Sequence, residues 1–257
     1  MPNAGKAWSR DETLVALGLY LQLPYGKLDH RNKEIVKIAK ALNRTPSSLS
    51  MKMCNIGRLD PSLREKGKLA LGHGAKLEHE IWDEFEGRHE ELIQSYESIV
   101  TSLVGGKNIC EDDASIKTPP GLDGVRLQKY RVNQSFFRRS VLASYNECCC
   151  VTGISDSRLL VASHIKPWAE CETGNERTDA CNGLCLSPLY DKAFDIGLFT
   201  LDEDYKIILS KSLRERLSHE VYVENFLKYE HGAIKLPLRC VPSQSFLEYH
   251  RTKIFRE

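Results

Sequence analysis

No stretch of this chain stays apolar for the length that a membrane-spanning helix requires, and its first residues, MPNAGKAWSRDETL, hold no hydrophobic core of a secretory signal. These two absences lead to the expectation of a cytoplasmic protein that enters no membrane. Net charge is also close to missing. The 36 Lys and Arg face 35 Asp and Glu, a formal +1, so total charge selects no class of partner and only its distribution can. There is no internal repeat, which excludes a solenoid or propeller. Cys-x-x-Cys pairs are lacking too, although cysteine itself is not. Nine cysteines occur, an odd number, three of them consecutive in NECCCVTG, where neighbours cannot readily form independent bridges of normal geometry. Their spacing matches no standard four-cysteine zinc site, so the expectation is reduced, buried thiols and no structural zinc.

What is present is an ordinary globular composition, 41% hydrophobic and 28% charged over 257 residues, enough for one generous domain or two compact ones. Residues 1–103 read as helical. SRDETLVALGLYLQL opens with Ser9 and has Glu12 three positions later, the pattern of a capping box, before apolar residues at helical spacing. RNKEIVKIAKALNRTPSSLSMKMCNIGRL then reads as helix, turn and helix, with Ile35, Ile38, Ala39 and Leu42 inward on the first and Leu49, Met53 and Ile56 on the second. Thr45 and Pro46 suit the cap and first turn of that second helix. The run KLEHEIWDEFEGRHEELIQSYESIV predicts a further acidic helical stretch. Residues 104–124, rich in Gly, Pro, Asp and Ser, have no sustained period and read as a linker. Residues 125–257 mix a helix in SFFRRSVLASY with short strands in CCVTGI, RLLVASHI, GLCLSP and YKIILS, so this half is α+β.

Charge is uneven in one place. From Gly124 to Ser144, Arg126, Lys129, Arg131, Arg138 and Arg139 occur with no acidic residue. The run is either a surface that faces phosphates or an exposed face that happens to be basic.

In LLVASHIKPWAE, His164 ends a strand and the chain leaves through a Lys-Pro-Trp turn. A lone histidine there is more often structural than catalytic. Downstream, NGLCLSPLYDKAFDIGLF predicts a short strand, Ser187 as a cap, and a helix on which Asp191 and Asp195 are four apart, sharing one face near its start. The order is strand, loop, strand, helix, with His164, Asn182 and Asp191 at successive positions.

That series resembles the HNH motif of the ββα-metal nucleases, with aspartate in place of the final histidine. The words CCVTGI, LLVASHIKPW, RTDACNGLCLSPLYDKAFDIGLFT and FLEYHRTKIF, over about residues 135–257, are similar to the HNH subfamily common in bacterial restriction endonucleases. The resemblance implies a ββα-metal nuclease domain acting on double-stranded DNA, as a homodimer if both strands are cut. His164 is then the general base, a role suited to a neutral imidazole with a pKa of about 6.5. Asp191 is a ligand of a divalent cation, Mg²⁺ with Mn²⁺ as the alternative. Asn182 braces the loop that carries the base. Many relatives carry Asp or His immediately before the base as a second ligand, and Ser163 stands there instead. Asp195 either assists the metal or braces its helix. Lys166 is placed to touch a phosphate, Trp168 to anchor the loop, and His250 to act structurally or as a peripheral basic contact.

The pattern at Ile35–Ile56 has the length of a DNA-reading helix-turn-helix, and a plain bundle shares its periodicity. In the first case Ser47, Ser48, Ser50 and Lys52 lie on the exposed side of the second helix, with Arg44 and Lys52 as DNA contacts. An HNH core meets mainly backbone, so a restriction-like enzyme needs such a reader. Two other readings stay open: a DNA-binding regulator with an inactive HNH fold, and a nuclease effector whose residues 1–100 sense a partner or signal.

Overall fold

The computed structural model describes residues 6–67, 75–105 and 124–256, so the expected linker at 104–124 lies almost wholly outside the described residues. The helical half consists of α1 (Arg10–Gln22), α2 (Lys33–Ala41), α3 (Pro46–Gly57), α4 (Pro61–Glu65), α5 (Lys76–Phe85) and α6 (His89–Leu103). α1 starts at the capping box: the Glu12 N–H donates to Ser9 Oγ at 3.2 Å and the Ser9 N–H to Glu12 Oε2 at 2.8 Å. This helix is apolar on every side and buried from Thr13 to Tyr20, as expected of a central helix. α3, α5 and α6 pack around it. Asn32 caps α2 and Thr45 caps α3, with Pro46 in the first turn.

Two expectations about this half are corrected. Lys52 is 6% exposed, not on an open helix face. α5 lies over that side of α3 and supplies Glu78, whose Oε1 is 2.6 Å from Lys52 Nζ. Arg44 is buried too, with a fork to Glu12 at 2.8 and 2.9 Å and donations to the Lys6 and Ala7 carbonyls at 2.8 and 2.7 Å. A planar guanidinium matches that carboxylate and the two carbonyls, and Trp8 lies against it. Ser47 remains exposed and Ser48 half-buried. Ser50 donates to the Leu28 carbonyl at 2.5 Å.

α7 (Gly124–Ser144) joins the two halves. Consecutive residues on it face different cores: Phe136 packs with α1 and α6, Phe137 with the second half. The second half continues with β1 (Val161–His164), α8 (Gly174–Thr178), β2 (Gly183–Leu186), α9 (Pro188–Asp195), β3 (Phe199–Leu201), β4 (Ile207–Leu209), α10 (Lys211–Arg216), α11 (His219–Asn225) and α12 (Gln244–Lys253). β1 and β2 pair antiparallel, with Val161 opposite Leu186 and His164 opposite Gly183, and β3 and β4 form a second small hairpin. CCVTGI, expected as a strand, is a turn, with the Gly153 N–H on the Cys149 carbonyl at 2.9 Å and Gly153 at φ 78. Its apolarity reflects packing of Cys149 and Cys150 in the core, which a short apolar run cannot reveal.

Residues 237–240 dock on the helical half. Lys66 Nζ donates to the Pro237 carbonyl at 2.6 Å, and Arg239 inserts at the end of α1. His250 is buried, flat on Phe194 at 3.7 Å, with Nδ1 2.9 Å from Thr200 Oγ1 and Nε2 3.0 Å from the Phe194 carbonyl. It is a core residue. Among the described residues no helix is long and apolar enough to cross a membrane.

Candidate active site

Beyond β1 the chain turns through Lys166, Pro167 and Trp168 and passes α8 before β2 returns. Asn182, fully buried at the foot of β2, holds this turn closed. Its Oδ1 accepts from the Lys166 N–H at 2.8 Å, while Nδ2 donates to the Lys166 and Glu176 carbonyls, both at 3.1 Å. One amide, being donor and acceptor at once, satisfies backbone groups on both sides of the loop.

The His164 ring lies flat on Phe137, centroids 3.8 Å apart and planes 11° apart, and Trp168 meets it edge-on at 5.7 Å. Nε2 is 3.0 Å from the Arg177 carbonyl oxygen. A carbonyl only accepts, so Nε2 carries the proton and Nδ1 presents its lone pair. Nδ1 makes no hydrogen bond among the described residues and is not one of the sealed, unpartnered atoms, so it faces solvent. Burial lowers the imidazole pKa from 6.5 to about 4, opposed by the bond to Arg177. The expectation of an ordinary value is corrected: the ring is held neutral throughout the neutral range.

Two residues not singled out from the sequence hold this arrangement. The Arg177 side chain donates to the Trp168 and Cys171 carbonyls at 3.3 and 3.0 Å, so the residue whose carbonyl orients His164 is itself fixed to the loop. Gly183 lies opposite His164 on the face that α7 covers. A Cβ there would sit 2.3 Å from Val141 Cγ2 and 3.1 Å from Phe137 Cζ. Gly183→Ala is therefore expected to destabilise the protein by about 1–3 kcal/mol, as overpacking does, and to move Phe137 off the His164 ring. Denaturant unfolding and the ring-current shift of the His164 protons would report it; unchanged values would contradict the close approach of α7.

The remaining expected site residues fall as follows. Asp191 is half-buried in the first turn of α9, its N–H on the Ser187 carbonyl at 2.9 Å. Asp195 is exposed and is the last residue of that helix, not near its start, because Gly197 takes φ 73 and closes it. Ser163, expected as a ligand, is 2% exposed with Oγ sealed and unpartnered. Strand alternation turns it to the face opposite His164, away from solvent. Lys166 is also largely buried, 3.0 Å from Glu176 and 3.7 Å from Glu172, so its charge is already neutralised where a phosphate contact was expected. Arg138 donates to the Leu160 carbonyl at 2.8 Å and Arg139 pairs with Glu34 at 2.6 Å. Both tie α7 into the fold, while Arg126, Lys129 and Arg131 are exposed. Among the described residues no three or more His, Cys, Asp or Glu side chains converge as a metal-binding group.

An antiparallel hairpin ending in a buttressed histidine, followed by a helix bearing a carboxylate, matches a known pattern. The family described as HNH endonuclease matches residues 149–202. That stretch contains His164, Asn182 and Asp191, so this part of the chain is similar to an HNH endonuclease domain, which supports nuclease activity. No curated protein matches the chain.

Proposed function

We propose that this protein is a metal-dependent endonuclease hydrolysing phosphodiester bonds of double-stranded DNA, with His164 as general base, Asn182 as the positioning residue of the base loop and Asp191 as the protein ligand of a divalent cation. The observation that carries this reading is the state of His164: Nε2 tied to a carbonyl, Nδ1 open, ring neutral. Hydrolysis needs a water relieved of its proton in line with the leaving oxygen, and such a nitrogen can take it. Mg²⁺ keeps several waters and binds through one or two carboxylates plus substrate phosphates, so a half-buried carboxylate such as Asp191 is the donor type it takes, and Mn²⁺ suits the same oxygen donors. When bound, the cation stabilises charge on the phosphate and leaving oxygen.

An HNH core meets mainly backbone, so choice of DNA falls to the helical half and a restriction-like defence role suits the combination. With Arg44, Lys52, Arg138 and Arg139 buried or half-buried in the fold, the DNA-facing surface in this reading is Ser47 and Ser48 at the start of α3 and the exposed basic face of α7, where Lys129 also lies 3.1 Å from Glu90. One site per chain implies a homodimer, or two successive nicks, for double-strand cleavage.

The test is cleavage of plain and methylated duplex DNA by the purified protein. Chelation should abolish it, added Mg²⁺ or Mn²⁺ should restore it, and Asp191→Ala should match the chelated enzyme. Asp191→His should retain some activity, better with Mn²⁺. Asp195→Ala should be milder. Cleavage at full rate in excess chelator, or by Asp191→Ala, would remove the metal assignment.

A further inference from the structure

The carbonyl that orients His164 belongs to Arg177, on the five-residue helix α8. A helix that short does not hold itself in place, so contacts at its two ends must. At the C-terminal end the Glu176 carbonyl accepts from Asn182 at 3.1 Å. At the N-terminal end the partner is the helical half: Asn175 Oδ1 accepts the N–H of Glu90, in the first turn of α6, at 3.0 Å. We propose that Asn175 is a positioning residue for His164, which caps α6 and so locks α8, and with it the carbonyl that sets the tautomer and tilt of the base, to the helical half.

Both partners need the contact. Arg88, the residue before α6, gives it no side-chain cap, and the N–H groups of a first turn have no partner within their own helix. Asparagine is among the best residues for that task, and here it arrives from 85 positions along the chain. Glu90 is also where α7 joins. Its Oε1 accepts from Asn133 Nδ2 at 3.2 Å and lies 3.1 Å from Lys129 Nζ. Gly174, the first residue of α8, leaves room for this carboxylate, since a Cβ there would stand 1.7 Å from Glu90 Oε2. The two supports of the imidazole, the Phe137 ring from α7 beneath it and the Arg177 carbonyl from α8 at Nε2, therefore come from helices that both meet Glu90. Alignment of the base depends on the helical half, and the nuclease half does not complete it alone. The consequence for catalysis rests on the nuclease reading; the consequence for the state of the ring does not.

The test reads the His164 ring nitrogens of the full-length protein by long-range proton–nitrogen NMR at neutral pH. The wild-type ring should be a single tautomer with the proton on Nε2. In Asn175→Ala it should become a mixture of the two tautomers, and kcat for DNA cleavage should fall by about 10-fold or more at nearly unchanged KM, as misplacement of a catalytic group does. Asn175→Asp keeps an acceptor oxygen and caps a helix as well as asparagine, so it should restore both readings. A second measurement needs no variant: in native-state hydrogen exchange of the wild-type protein, the Glu90 and Arg177 amides should open together as denaturant rises. An unchanged tautomer in folded Asn175→Ala, loss of the single tautomer in Asn175→Asp, or separate opening of the two amides would overturn the proposal. A wild-type protein that cuts no DNA but shows the tautomer change would remove the nuclease reading and leave the positioning role standing.

Discussion

His164→Ala is expected to lower DNA cleavage by at least ~10²-fold, the lower end of what a positioned general base contributes, while the protein stays folded and binds DNA nearly as before. Because the ring is stacked on Phe137, truncation to Ala also opens a cavity. His164→Asn, closer in volume, separates loss of the base from loss of packing and should be equally inactive. The pH profile distinguishes the two roles further. With the imidazole pKa lowered to about 4, the acid limb of kcat/KM should fall near pH 4–5, well below where an unperturbed histidine would put it. A limb near 6.5 would mean the ring is more hydrated than its contacts imply, and near-normal turnover in either folded variant would remove His164 from the mechanism. Stability has to be followed alongside. His164 and His250 both have folded values near 4, below the ordinary 6.5. Their contribution is complete above about pH 6.5 and declines as pH falls from there towards 4. Circular dichroism across that window keeps acid unfolding apart from titration of the base.

The largest stability effect is expected at Arg239, 1% exposed. Its guanidinium donates to the Tyr20 and Leu23 carbonyls at 2.7 and 2.8 Å and stacks 4.5 Å over the Tyr20 ring. Both carbonyls belong to the C-terminal end of α1, where the helix leaves acceptors unsatisfied and the dipole favours a cation. Hydrogen bonds to a charged group contribute about 1.5–3 kcal/mol each, so Arg239→Ala should destabilise the protein by about 3–5 kcal/mol by urea denaturation. Arg239→Lys should recover only part of this, since an ammonium cannot span both carbonyls while stacking on Tyr20. A loss below about 1 kcal/mol for Arg239→Ala would show that the two halves do not depend on this anchor.

Local chemistry was legible wherever a residue acts on near neighbours in the chain. The Ser9 and Glu12 capping box, the Thr45-Pro46 start of α3 and the strand-loop-strand-helix order around His164 all follow from side chains meeting backbone groups within a few residues. The bracing role of Asn182 was implied by the family resemblance alone, although its partners lie at most 16 residues away. What only the tertiary structure decided is which charges face water. Lys52 and Arg44 read as exposed because periodicity ranks positions on one helix but does not say that α5 brings Glu78 over Lys52 or that Glu12 returns to Arg44. Arg138, Arg139 and Lys166 read as phosphate contacts for the same reason, their carbonyl and carboxylate partners being set by packing between distant segments. The depressed pKa of His164 and the need for glycine at 183 likewise depend on how closely α7 approaches the hairpin, and desolvation and close packing are properties of that approach, not of spacing along the chain.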